Sequence, residues 1–79
     1  MAAKNKVVRY KMFFPQNTLG EPFMYKLSKE MKVVPNILRG RIADTNAWLE
    51  IEIAGSKANI NKAIKFLEEK GVAITQLKN

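Results

Sequence analysis

The chain has 79 residues, enough for one small domain that buries about 60% of its unfolded surface on folding. It contains no cysteine and no histidine, which excludes disulfide scaffolds, thiol chemistry, iron–sulfur clusters and cysteine–zinc sites and removes the commonest general base. Fourteen Lys and Arg against seven Asp and Glu give a formal charge of +7, and 47% of the residues are hydrophobic. This is a globular composition with no apolar run near the roughly 18 residues of a membrane span.

The N-terminal residues 1–6 carry no apolar segment of the kind that directs secretion, so a cytoplasmic location and a flexible leading segment are expected. From Val7 to Phe14 the residues Val8, Tyr10, Met12 and Phe14 alternate with Val7, Arg9, Lys11 and Phe13, the pattern of a half-buried strand. Pro15-Gln16-Asn17 breaks it, and Gly20-Glu21-Pro22 reads as a helix start with Pro22 at the first helical position. Phe23, Leu27 and Met31, with Met24 beside them, put one apolar stripe on that helix. Val33-Val34-Pro35 ends it, because a residue before proline avoids the α region.

A second strand is predicted over about Asn36 to Ala43, and Pro35 at its head, lacking a donor, puts it at a sheet edge. Asp44-Thr45-Asn46 supplies turn chemistry, and Ala47 to Ala54 alternates as a third strand with Leu49, Ile51 and Ile53 on one side and Trp48, Glu50 and Glu52 on the other. If Leu38 and Ile42 point inward on the second strand, Ile37, Arg39 and Arg41 point out. Ser56 is a natural N-cap for a second helix whose residues Ile60, Ala63, Ile64 and Leu67 repeat at helical spacing. Gly71 terminates that helix and a short strand follows over Val72 to Leu77.

Strand, helix, strand, strand, helix, strand is the α+β, ferredoxin-like βαββαβ order, a four-stranded antiparallel sheet with two helices on one face. Right-handed crossovers put the first strand between the third and fourth and leave the second at an edge. The other sheet face is bare and carries Arg9, Lys11, Trp48, Glu50 and Glu52. RNA-recognition motifs share the topology, but their third strand is rich in aromatics. Here it reads Ala47-Trp48-Leu49-Glu50-Ile51-Glu52-Ile53, with two carboxylates, so specific nucleic-acid recognition is not expected; the lysines alone would give weak, salt-sensitive association. Trp48 can serve as a dimer contact, a ligand wall or a cap on the core. The carboxylate pairs Glu68-Glu69 and Glu50/Glu52 offer no desolvated cleft for acid–base work. No phosphate loop or nucleophile–base pair is present, so the chain is not expected to be an enzyme, nor to hold a metal or cofactor.

Val34-Pro35-Asn36-Ile37-Leu38-Arg39-Gly40-Arg41-Ile42 resembles the segment for which the NIL domain family is named, the Asn-Ile-Leu tripeptide being Asn36-Ile37-Leu38. Glu21-Pro22 at the first helix, Gly55 after the third strand and Ala63-Ile64-Lys65-Phe66-Leu67-Glu68-Glu69-Lys70-Gly71-Val72 fit the same pattern, so the resemblance covers residues 7–77. It implies a regulatory domain of the kind found at the C-terminus of methionine-importer ATPases, where it dimerises, binds methionine and inhibits transport. The motif asparagine belongs to that pocket, which nominates Asn36, Ile37 and Leu38 for ligand binding. Trp48, Arg39 and Arg41 are the residues nominated for the interface between two copies. With no ATPase ahead of residue 7, the expected action is in trans on a transporter or enzyme. The hairpin at Asp44-Thr45-Asn46 is shorter than the importer type, and Ala47-Trp48 stands where those carry Phe-Gly. That end is closer to NIL domains fused to small ferredoxins, linked to sulfur incorporation during homocysteine formation, although this chain has no cysteine for a cluster. The alternative to a methionine-binding domain is a ligand-free interaction module in sulfur metabolism, docking through the sheet face around Trp48.

Overall fold

A computed structural model describes residues 6–18, 20 and 22–77 of the chain. The expectations that rest on residues 1–5 and on Glu21 lie outside that range. The alternating stretches form strands β1 (Lys6–Pro15), β2 (Val34–Ile42), β3 (Asn46–Gly55) and β4 (Ala73–Leu77). The periodic stretches form helices α1 (Phe23–Glu30) and α2 (Lys57–Glu69), and a 3-10 turn, Gln16–Thr18, follows β1. The sheet is antiparallel throughout, in the order β2-β3-β1-β4, as the ferredoxin-like arrangement requires.

The core lies between the sheet and the two helices. Tyr10, Met12 and Phe14 of β1 and Ala47, Ile51 and Ile53 of β3 are buried against Phe23 and Leu27 of α1 and Ile60, Ala63 and Leu67 of α2. Met24 and Met31 pack at its margin, so these two and Met12 act as core filler. Ring contacts tie the layers together: Phe14 and Phe23 lie 5.7 Å apart, and Phe66 meets Phe23 edge-on at 6.2 Å.

The helix ends follow local chemistry. Ser56 caps α2 by accepting the Asn59 amide at 3.1 Å. At the other end Gly71 has φ +100°, its amide donates to the Glu68 carbonyl and the Val72 amide donates to the Leu67 carbonyl. This is the paired-bond glycine ending of a helix. Pro22 stands just outside α1 as its cap rather than as its first helical residue. The tail of α1 has no glycine, and Lys32 takes the left-handed conformation instead at φ 61°.

One expectation about β2 is corrected. Ile37 pairs with Ile51 while Arg39, not Leu38, pairs with Glu50, so Leu38 is an extra residue in a β-bulge. A bulge shifts the phase of a strand by one residue. Ile37 therefore faces the helix side, together with Ile42, whereas Arg39 and Arg41 face outward as expected.

These endings give opposite stability predictions. A side chain in the left-handed region costs about 1–2 kcal/mol. Gly71→Ala should therefore lower the thermal midpoint, by roughly 4–16 °C in a domain of this size. Lys32→Gly should raise it by a smaller amount, since relief of strain exceeds the added freedom of the unfolded chain, about 0.4–1 kcal/mol. Differential scanning calorimetry checks both, and a midpoint lowered by Lys32→Gly would contradict the assignment.

Candidate functional site at the edge of the sheet

The helix layer leaves most of β2 exposed. Val34 is 66% exposed, Ile37 50%, Leu38 40% and Ile42 75%, although all four are large and apolar. Beneath Ile37 and Ile42 lies a cavity of about 230 Å³. Its other described walls are Phe14 of β1, Thr18 of the 3-10 turn, Phe23 and Met24 of α1, and Ala47 and Leu49 of β3. Among the described lining residues only Thr18 has a polar side chain, and its hydroxyl donates to the Pro15 carbonyl at 2.7 Å. The cavity is accordingly an apolar hollow that opens at an unpaired strand edge.

The three nominated ligand residues do not share one face. Ile37 lines the cavity. Asn36 pairs with Glu52 and so belongs to the bare face of the sheet, and Leu38 is the bulged residue between. They meet at the outer edge of β2, where the bulge interrupts the ladder and a strand edge carries unpaired backbone N–H and C=O groups. The Asn36 amide has no side-chain hydrogen bond among the described residues. The interface candidates sit together: Arg41 pairs with Trp48, and Arg39 lies in the next row, bonded to Glu50 at 3.1 Å.

Phe14, Phe23, Met24 and Leu49, which wall the cavity, read in the sequence only as core positions. Their apolar periodicity is the same whether a helix covers them or leaves a gap. Gly40 is the other residue that the sequence left unremarked. A Cβ built on it would lie 2.6 Å from the Trp48 carbonyl oxygen and would overlap the Leu49 side chain. Only glycine lets β2 approach β3 here and lets Leu49 lean across to the cavity.

A larger depression, about 530 Å³, lies on the far side of the domain between α2 and β4, lined by Tyr10, Asn61, Lys65, Glu68 and Gln76 among others. None of the nominated residues borders it. Burial pushes the Tyr10 phenol above its ordinary value, so it is neutral near pH 7. Among the described residues no group of His, Cys, Asp or Glu is arranged to hold a metal ion, and no helix is long and apolar enough to cross a membrane.

Residues 8–76 match the family model described as NIL domain. The chain is 35% identical over 65 residues to the methionine import ATP-binding protein MetN 1 of Bacillus cereus (strain ATCC 10987 / NRS 248), covering 77% of this chain and 19% of that protein. The same figures hold for the protein of that name from Bacillus anthracis. The chain thus spans about a fifth of the length of these relatives. The C-terminal domain of an ABC transporter ATP-binding protein from Enterococcus faecalis superposes with a TM-score of 0.81 at 22% identity, over 91% of this chain and 84% of that one. That likeness bears on the fold.

The packing at Gly40 predicts that Gly40→Ala loosens β2 from β3. The expected loss is about 1–3 kcal/mol, the usual cost of overpacking, with faster amide exchange confined to β2 and its neighbours on β3. Wild-type stability and exchange in that variant would show that the two strands have room to spare.

Proposed function

The chain belongs to the NIL domain family, and from that premise we propose that it is a regulatory domain that binds methionine or a related sulfur amino acid at the edge of β2. The observation that carries this reading is the apolar cavity beside the nominated tripeptide. A small-molecule site is a mostly apolar concavity with a few polar groups at its mouth. The cavity walls suit an unbranched thioether, with Phe14, Phe23 and Met24 offering soft, polarisable contacts. The amino acid's charged ends would lie along the free backbone groups of β2, where the Asn36 amide adds two donors and an acceptor. The names of the relatives, methionine import ATP-binding proteins, support the choice of ligand and of a transporter as the target. The role is binding, not catalysis, on the cytoplasmic side of such a transporter.

The proposal includes a homodimer. An exposed edge with Val34, Ile37, Leu38 and Ile42 on it is a template for pairing with another strand. A second copy pairing β2 to β2 would extend the sheet and cover those residues. Arg39 and Arg41 would lie at that seam, with Trp48 one strand inside it. Ligand and partner would then close the same edge, which is how occupancy can be passed on as a change in association.

Thermal unfolding against L-methionine, with leucine and alanine as controls, tests the ligand. At about ten times Kd, linkage contributes roughly 1.4 kcal/mol, which is about 5–10 °C for a domain this small. The shift should be absent in Asn36→Ala and in Ile37→Glu. No shift for any amino acid at millimolar concentration would instead favour the ligand-free interaction module. Sedimentation equilibrium tests the dimer: Ile42→Glu should yield a monomer, and an unchanged mass would place the contact elsewhere.

A further inference from the structure

The bare face of the sheet carries an arrangement that the amino-acid site does not use. The strand registers bring Phe13 of β1 directly opposite Trp48 of β3, on the two central strands. Phe13 is 43% exposed, and Trp48 is half-buried beside it. On one flank Trp48 pairs with Arg41. On the other the Lys11 ammonium stands 5.1 Å from the centre of the Trp48 ring. In the same row β4 contributes only Ala73, and in the next Thr75. These small residues leave a hollow of about 430 Å³ bounded by Lys11, Phe13, Trp48, Ala73 and Thr75.

The two carboxylates of this face do not offset its cations as free charges. Glu50 is held by Arg39 at 3.1 Å and Glu52 by Arg9 at 3.6 Å. Arg41 and Lys11 are left beside the rings, on a chain of formal charge +7. Solvent-facing aromatic rings on a sheet, bordered by cations that are not committed to acids, form a platform for a planar group joined to an anion.

We propose that this face binds single-stranded nucleic acid with little base preference. Bases stack on Phe13 and Trp48, one of them entering the hollow over Ala73, and the phosphates run past Lys11 and Arg41. Stacking accepts any base because every base has a π-face, and the backbone supplies the anion that the cations match. In the row beside the rings the one described side-chain amide, Asn46, donates to the Thr45 hydroxyl at 3.4 Å, so the platform sorts single strands from duplexes, whose bases are hidden, rather than one sequence from another. A second copy laid face to face fits less well, because it would set Arg41 and Lys11 of both copies against like charge. Pairing at β2, by contrast, leaves the face open.

The test is fluorescence anisotropy of a labelled oligouridylate of about twelve nucleotides, titrated with the full chain at about 50 mM salt. Saturable binding is expected, with quenching of the single tryptophan. Phe13→Ala and Trp48→Ala should each weaken it by about 5- to 100-fold, whereas Trp48→Phe, which keeps a ring, retains most of it. Arg41→Gln should reduce the slope of log K against log salt by about 0.7. Lys62→Gln, an exposed lysine of α2 with the same loss of charge, should change affinity much less. Equal effects of Arg41→Gln and Lys62→Gln, or unchanged binding in both ring-to-alanine variants when they remain folded by circular dichroism, would reduce the interaction to diffuse lysine charge and overturn the proposal. So would a tryptophan emission that shifts with protein concentration alone, since a second copy would then cover the face.

Discussion

A mismatch of lengths between α1 and β2 governs the functional geometry of this domain. A helix of eight residues is about 12 Å long, whereas a strand of nine residues extends about 30 Å. The helix therefore shields less than half of the strand it should cover. Phe23 and Leu27 seal the part of the core that α1 reaches, and Ile37 and Ile42 face a gap beyond it. In most small domains such a gap would be a defect in packing. Here it lies against an unpaired edge and a bulge, the two features that free backbone groups for a ligand or a partner.

The sheet divides the remaining work between its two faces. The helix side takes the apolar residues of β1 and β3 and supplies the stability. The open side is arranged in cross-strand rows, each central carboxylate held by an arginine, and pairs of this kind contribute roughly 0.2–1 kcal/mol each. Once these acids are committed, what the face presents to solvent is the Phe13–Trp48 row and the cations around it. The edge, apolar and unpaired, and the face, aromatic and cationic, are therefore separate surfaces of different chemistry.

Much of this was legible in the chain itself. Alternation marked β1 and β3, helical spacing marked α1 and α2, and Ser56 and Gly71 marked the ends of α2 by chemistry that operates within a few residues. The Asn36-Ile37-Leu38 tripeptide pointed to the family, and Pro35 before it to the edge strand. Less legible was everything set by pairing between distant segments. The bulge at Leu38 exists only in relation to β3, so alternation within β2 assigned Ile37 to the wrong face. Phe13 was plainly on the outward side of β1, but that it meets Trp48 depends on the register of two strands far apart in the chain. Lys32 carries no mark of its left-handed conformation, which the descent from α1 into β2 imposes on it.

By itself, the sequence determined the order and type of the elements, the residues of the core and the absence of thiol and imidazole chemistry. These follow from periodicity, propensity and composition, which are local or additive properties of a chain. The tertiary structure alone decided where the helix layer stops, which residues of β2 face it, why Gly40 must lack a side chain, and which aromatics and cations become neighbours. Those are matters of length matching and register, and they have no value until two strands are laid side by side.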